Sequence, residues 1–391
     1  MHGIAAAIES FLEVDVCGSP FQRGRQHGAA VPERIARSAR LYRQQLARQN
    51  VCAERLSALA LGMLPAIKHF DPDYLEEMQG IARGAGVPLE DVILINCRTE
   101  MLFGHGRSSH GELAAICKEL DDGCINLVVL PENAESGRLM HAHNWDWREQ
   151  CLDTGIVLRI RRGGDALEPD LLVFTEAGSL ARHGFNSAGL SLTGNFLRSD
   201  RDYRQLADVP LVLVRRKMLE APSMNAAMKL LWRTRRFCSS NLMLAQAGVS
   251  GDGQHVGDAV DLECAPDEIF WLTPQHGLLV HANHWLCPVA RSKLREQGLA
   301  VNPDSLCRQR SVETAMLQAI NHGPGKIDWA TIKKALADDF SGTGSVLRKP
   351  DAEGVDAHHG TVATTLIDAA SRTMWIARKP CQPDAFVEYR L

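Results

Sequence analysis

A change of texture at residue 124 restricts the fold more than any other feature of the chain. Upstream, "PERIARSARLYRQQLARQN" places Pro32 in a first helical turn and sets Ile35, Leu41 and Leu46 among charged residues, the pattern of an amphipathic helix. "AERLSALALGMLPAIKHF", "DYLEEMQGIARGAGV" and "EDVILINCRTEM" continue it, the second stopped by Gly84 and Gly86. Ahead of them "EVDVCGSPFQRGRQHG" reads as one short strand and a glycine-rich turn. Downstream, "CINLVVL" reads as a buried strand, "PENAESG" as a loop and "RLMHAHNWDW" as the hairpin return. "TGIVLRIRR", "DLLVFTEAG" and "GLSLTGNF" are further strands. A helical block follows, "VPLVLVRRKMLEA" and then "MNAAMKLLWRTRR" capped by Ser223. Strands resume at "SSNLMLAQA", "HVGDAVDLE", "EIFWLTP" and "GLLVHAN". Helices near 308–321 and 328–337 precede closing strands at "TVATTLID" and "TMWIARK". Hairpin-linked strands in two groups, separated by paired helices, predict antiparallel sheets covered by helices rather than a βαβ alternation. No internal repeat or low-complexity linker interrupts the chain, so the boundary near 123 is not a flexible joint.

The bulk properties exclude several classes. With 391 residues the chain suits one large domain or two moderate ones. A formal charge of −4 gives no electrostatic case for nucleic acid, and no basic block reads as a membrane patch. Arg233, Arg235 and Arg236 read instead as a helix end. The start, "MHGIAAAIESFLEVDV", lacks a basic region and is broken by Glu9, so it reads as neither signal peptide nor anchor. No stretch approaches the roughly 18 apolar residues that span a bilayer. The 11 cysteines are odd in number and form no CxxC pair, which argues against a disulfide scaffold or a zinc knuckle. Reduced thiols in a cytoplasmic protein are expected.

The common catalytic signatures are missing: no GxSxG elbow, phosphate loop, HExxH or dinucleotide fingerprint. His141 and His143 lie on one strand face, where a metallo-amidase could use them, but no third ligand stands nearby. His281 with His284, and His358 with His359, read in the same way. Cys124 differs. If the Gly123–Cys124 bond breaks, the new α-amine of Cys124, with an ordinary pKa near 8, can take the thiol proton without a separate histidine base. Glycine in front lets the thiol reach the preceding carbonyl. Attack there gives an N-to-S acyl shift, and water opens the ester. A plain cysteine beginning a buried strand is the other reading of "GC".

The order of motifs decides between them. "NCRTE" (96–100), "DGC" (122–124), "NWDW" (144–147), "GFNSAGLSLTGNF" (184–196), "SSNLMLA" (239–245), "HANHW" (281–285) and "DSLCR" (304–308) succeed one another along nearly the whole chain. Together they resemble the acyl-coenzyme A:6-aminopenicillanate (isopenicillin N) acyltransferase family of cysteine N-terminal-nucleophile hydrolases, with choloylglycine hydrolases and penicillin V acylases as distant cousins. One departure is Ile125, where members often carry Thr or Ser after the nucleophile.

The resemblance implies an α+β fold, a four-layer αββα sandwich of two antiparallel sheets flanked by helices. It implies a precursor that splits into a mainly helical segment, 1–123, and a catalytic segment, 124–391, both parts of one globular unit. Gly123 and Cys124 are then the processing site and Cys124 the nucleophile. Asp146, returning across the hairpin, holds the freed amine. Asn241 donates to the oxyanion, and Arg308 lies near the thiol and favours thiolate. Asn144, Asn195 and Arg310 are further candidates to line the site, although on a helix Arg310 points away from Arg308. The expected reaction is cleavage of a small N-acyl amide, or acyl transfer, through a thioester on Cys124, with no cofactor and no metal. Partners are a small N-acyl amide or an acyl donor, acyl-coenzyme A included, and the two cleavage fragments for each other, with no nucleic acid and no membrane. An unprocessed homologue whose cleft only binds a ligand is the alternative.

Overall fold

A computed structural model of the chain describes residues 9–104, 123–163, 167–204, 209–321, 323, 326–349, 359–378 and 385–391. Strand β1 (Leu12–Cys17) leads into helices α1 (Pro20–Ala30), α2 (Pro32–Arg48), α3 (Ala53–Gly62), α4 (Leu64–Phe70), α5 (Pro72–Ala85), α6 (Leu89–Asn96) and α7 (Arg98–Gly104). Then come strands β2 (Cys124–Val129), β3 (Met140–Arg148), β4 (Gly155–Arg161), β5 (Leu171–Glu176), β6 (His183–Asn186) and β7 (Leu190–Phe196). Helices α8 (Leu211–Leu219) and α9 (Met224–Arg233) precede β8 (Ser240–Val249), β9 (His255–Cys264), β10 (Ile269–Leu272) and β11 (Leu278–His281). Helices α10 (Pro288–Lys293), α11 (Ser305–Asn321) and α12 (Trp329–Leu336) lead to β12 (His359–Asp368), β13 (Thr373–Arg378) and β14 (Phe386–Arg390).

The strands form an eight-stranded sheet, β1-β4-β5-β6-β7-β8-β9-β10, and a six-stranded sheet, β11-β2-β3-β12-β13-β14. All neighbours run antiparallel except β1 and β4, which are parallel. The helical block separates β1 from the rest, so no hairpin dictates its direction. The sheets do not follow the order of the strand groups. Hairpin β2–β3 sits with the last strands, and α8 and α9 fall inside the run of the larger sheet.

Four layers result. The sheets meet where His141 of β3 bonds Ser191 and Thr193 of β7, and where Asn126 of β2 bonds Asn241 of β8. Against the far side of the larger sheet, Asn96 of α6 bonds the carbonyl of Gly178 and the N–H of Leu180, and Asn186 of β6 donates to the last carbonyls around α8. On the far side of the smaller sheet, Ile125, Leu127, Val129, Met140 and Ala142 share an apolar cluster with Val312 and Met316 of α11 and Ile332 and Leu336 of α12. Each fully buried Val, Leu, Ile or Met side chain contributes about 1.5–3 kcal/mol. The αββα sandwich is therefore present, with one parallel pair at its edge.

The expected glycine-rich turn is a helix. Ser19 and Gln22 form a capping box at the start of α1, whose Gly24 and Gly28 press against Gly80 and Gly84 of α5. A Cβ at any of the four would come within 1.9–2.3 Å of a backbone oxygen of the other helix. These glycines serve close approach, not turning, and α5 runs on through Gly84 to stop at Gly86, whose φ is +67°. The arginine cluster does mark a helix end: α9 closes at Arg233, and buried Arg236 donates to the carbonyls of Leu231 and Thr234. Among the described residues no helix is long and apolar enough to cross a membrane.

Candidate active site

The β2–β3 hairpin has two faces, and the alternation of its side chains divides the site between them. The register pairs Cys124 with Trp145, Ile125 with Asn144 and Asn126 with His143. Cys124, Asn126, His141, His143 and Trp145 point inward between the sheets, where Trp145 meets Phe174 of β5 and His143 meets His183 of β6. Ile125 and Asn144 point outward, toward α11 and α12, and Asp146 points outward to Thr361 and Arg348.

On the inner face the Cys124 thiol is fully buried, with 0% of the residue exposed. Arg182, in the turn between β5 and β6, lays its guanidinium over the Trp145 ring at 4.0 Å and brings Nη2 to 3.9 Å from Cys124 Sγ. A cation at this position favours thiolate over thiol. Arg182 also lines a small cavity of about 30 Å³, together with Arg98, Trp147, Phe196, Leu211 and Arg215. That volume is about enough for one water molecule.

On the outer side the groups hold backbone instead. The Cys124 N–H donates to Asn283 Oδ1 at 2.7 Å, and the Cys124 carbonyl accepts from Arg308 Nη1 at 2.8 Å. Arg308 also donates through Nη2 to Asn283 Oδ1 (3.0 Å) and through Nε to Asp304 Oδ2 (2.8 Å). Arg308, expected beside the thiol, thus grips the carbonyl of Cys124, while Arg182 brings its guanidinium to the sulfur. Gly123 rests against a second arginine. A Cβ there would stand 2.5–2.9 Å from Nε, Cζ and Nη2 of Arg348. Arg348 pairs with Asp304, and its Nε lies 3.4 Å from Asp146 Oδ2. Thr361 Oγ1 donates to Asp146 Oδ1 at 2.7 Å, placing this carboxylate one step along β3 from the partner of Cys124. Burial opposes the charge on Asp304, but Arg308 and Arg348 hold its carboxyl below the usual range.

The remaining candidates scatter. Asn241, on β8, faces inward: Nδ2 donates to Asp261 Oδ1 (2.5 Å) and Oδ1 accepts from Asn126 Nδ2 (2.8 Å). That bond ties it to the side chain two residues beyond Cys124 on the same face. Asn195, its register partner on β7, donates to the carbonyls of His281 and Ala282 and so braces the turn that carries Asn283. Asn144 faces outward, where it donates to the carbonyls of Leu336 and Val346 and accepts from Thr364. It holds helix to sheet and does not line the thiol. Arg310 is exposed on α11. Among the paired histidines, His141 bonds two hydroxyls, and His143 bonds Asn126 and the carbonyl of Ile125. His281 bonds Glu263 and His284 bonds Ser305, while His358 lies outside the described residues. Among the described residues no group of three His, Cys, Asp or Glu side chains could hold a metal ion.

Sequence reading passed over Arg182, Asn283, Asp304 and Arg348. Asn283 and Asp304 sit inside motifs already singled out, "HANHW" and "DSLCR", next to the residues chosen. Arg182 and Arg348 lie in irregular segments, where no periodicity shows which way an isolated arginine points.

A family profile described as acyl-coenzyme A:6-aminopenicillanic acid acyl-transferase matches residues 132–379. The acyl-coenzyme A:6-aminopenicillanic-acid-acyltransferase 40 kDa form of Emericella nidulans is 27% identical over 304 residues, 77% of this chain and 76% of that one. Among solved structures, a mutant conjugated bile acid hydrolase from Clostridium perfringens aligns with a TM-score of 0.46 at 12% identity, over 68% of this chain and 92% of that chain. Penicillin V acylase from Agrobacterium tumefaciens aligns with a TM-score of 0.40 at 13% identity, over 65% of this chain and 83% of that chain.

Proposed function

The chain belongs to the acyl-coenzyme A:6-aminopenicillanic acid acyltransferase family, and from that premise we propose that it cuts itself between Gly123 and Cys124 to become an N-terminal-cysteine amidohydrolase or acyltransferase. One observation carries this reading. The Gly123–Cys124 junction is gripped by Asn283, Arg308 and Arg348 while its thiol faces the other way, beside Arg182. A strand that merely began with cysteine would need none of these buried charges, which are costly unless they are paired and placed for a purpose.

In the self-cleavage step the sulfur bonds to the Gly123 carbonyl carbon, the thiol proton passes to the Cys124 nitrogen, and the peptide C–N bond breaks. Water then opens the thioester, leaving a carboxylate on Gly123 and an α-amine on Cys124. Arg348, packed on Gly123 and held by Asp146 and Asp304, supplies positive charge beside the bond that breaks. In turnover the α-amine accepts the thiol proton, and Arg182 stabilises the thiolate. Attack on an acyl carbon follows, with Asn241 donating to the oxyanion. The protonated α-amine returns its proton to the leaving group, and water or a second amine takes the acyl group from sulfur. The substrate class is a small N-acyl amide or an acyl donor, as the name of the Emericella relative specifies acyl-coenzyme A. None of the described cysteines is joined in a disulfide, which supports a reducing, cytoplasmic location.

The segments 1–123 and 124–391 stay together on this reading. Asn96, Arg98 and Glu100 of the "NCRTE" motif bond Gly178 and Leu180, Glu176, and the N–H of Leu211, respectively. All of these partners lie beyond the cut. Intact mass of freshly expressed protein under denaturing conditions, beside Cys124→Ala, tests the proposal. Two fragments meeting at Gly123/Cys124 in the wild type and one chain in the variant are expected. A wild-type chain that stays whole and inert would instead support a ligand-binding homologue, consistent with the complete burial of the thiol.

A further inference from the structure

Between the sheets a file of fully buried polar groups leads away from the thiol. His143 Nδ1 lies 2.7 Å from Asn126 Oδ1, Asn126 Nδ2 lies 2.8 Å from Asn241 Oδ1, and Asn241 Nδ2 lies 2.5 Å from Asp261 Oδ1. Asp261 Oδ2 is 3.7 Å from His281 Nε2, which sits 2.8 Å from Glu263 Oε1. His281 Nδ1 faces the Ala282 carbonyl at 2.8 Å. We propose that Asp261 is a positioning residue: its carboxylate fixes the direction of the Asn241 amide, and through it the direction of Asn126 and the tautomer of His143.

The reasoning is one of donor and acceptor parity. Two facing amides, Asn126 and Asn241, have two self-consistent arrangements, and nothing within the pair chooses between them. An ionised carboxylate can only accept. Asp261 therefore draws Nδ2 of Asn241 toward itself, which turns Asn241 Oδ1 to Asn126 Nδ2 and Asn126 Oδ1 to His143. A neutral His143 must then carry its proton on Nδ1, where the Ile125 carbonyl at 3.2 Å is a second acceptor. Burial holds His143 neutral, well below its ordinary pKa. At the other end both nitrogens of His281 meet only acceptors, so the ring is an imidazolium. Burial opposes that charge, but Asp261 and Glu263 outweigh it and raise the pKa to about 9. The cation in turn keeps Asp261 ionised in a site whose burial has lifted its pKa to about 6. The charged groups facing Asp261 are His281 from β11 and Glu263 from its own strand.

The functional consequence rests on the reading of Asn241 as the oxyanion donor. With the amide drawn to Asp261 by one N–H, its second N–H remains to donate. A reversed amide would offer a carbonyl oxygen to the developing negative charge. Asp261→Asn should produce that reversal. Beside the donor-only His281, the substituted side chain would turn its oxygen to the ring and its NH₂ to Asn241, and the file would run the other way.

Nitrogen-15 NMR of the histidine rings in the full-length protein reads this directly. The expected result is an Nδ1–H tautomer for His143 and a doubly protonated His281 at pH 7–8. In Asp261→Asn, His143 should switch to Nε2–H. In an amidase assay the same variant should lose about 10²–10³-fold in kcat, the cost of one oxyanion donor, with KM little changed. Wild-type kcat should fall as pH drops through about 6, where Asp261 takes up a proton and becomes able to donate. A folded Asp261→Asn protein that keeps the His143 tautomer overturns the proposal. So does a wild-type His143 with its proton on Nε2, a test that needs no variant. A tautomer switch without any change in kcat upholds the positioning role and removes Asn241 from the oxyanion instead.

Discussion

The two faces of the β2–β3 hairpin carry different chemistry. The inner face holds the thiol, Arg182 stacked on Trp145, and a file of amides and imidazoles. The outer side holds two arginines, which meet the backbone at Gly123 and Cys124, and two carboxylates that pair with those arginines. One strand thus separates the groups that hold the Gly123–Cys124 peptide bond from those that, on the proposed function, would face an incoming acyl group. The period of two in a β-strand makes this possible, because neighbouring residues serve opposite layers. If the chain cuts itself as proposed, positioning the bond for that single cleavage and supporting repeated turnover should be separable by mutation.

The comparison can be broken in several ways. Cys124→Ala, the one change that touches both faces, should abolish self-cleavage and amidase activity together, seen as a single mass and no product release. On the outer side, Gly123→Ala forces a methyl into the Arg348 guanidinium, and Arg348→Gln removes the charge. Both should leave most of the chain uncut by intact mass, and a normal fragment yield from either would separate Arg348 from processing. On the inner face, Asn241→Ala should still yield both fragments but lower kcat by about 10²–10³-fold in a steady-state assay. Arg182→Gln should be milder, moving the pH dependence of thiol alkylation to higher pH while the fragments still form. The smallest effect belongs to neither face. Asn96→Ala leaves the Leu180 N–H and the Gly178 carbonyl without their partner, and urea unfolding should show a loss of about 2 kcal/mol with the cut unaffected.

Much of the architecture was legible because the hairpins, the helical periodicity and the Ser223 cap are local signals. The sheet assignments were not, since the chain changes sheets through turns that look like any others. Short β6, α10 and β14 carry too few residues to show a period. The glycines of α1 misled because their function lies in another helix, and local sequence cannot distinguish a glycine that turns the chain from one that lets a neighbour in. At the site, residues fixed by strand alternation, Cys124 and Asp146, were placed on the right hairpin. Whether a long side chain reaches sulfur or carbonyl depends on where its helix docks, which is why Arg308, expected beside the thiol, reaches the Cys124 carbonyl instead.

The pairing of β1 with β4, which joins the chain before Cys124 to the chain after it, has a consequence for dilution. While the chain is continuous, unfolding is unimolecular and its midpoint is the same at any protein concentration. After a break before Cys124, the helical segment and the sheet segment part as separate molecules when they unfold, and reassembly becomes a second-order event. The melting temperature of the matured protein should then fall as the sample is diluted, while that of Cys124→Ala stays constant. Maturation would leave the shape unchanged and alter the reaction order of its loss.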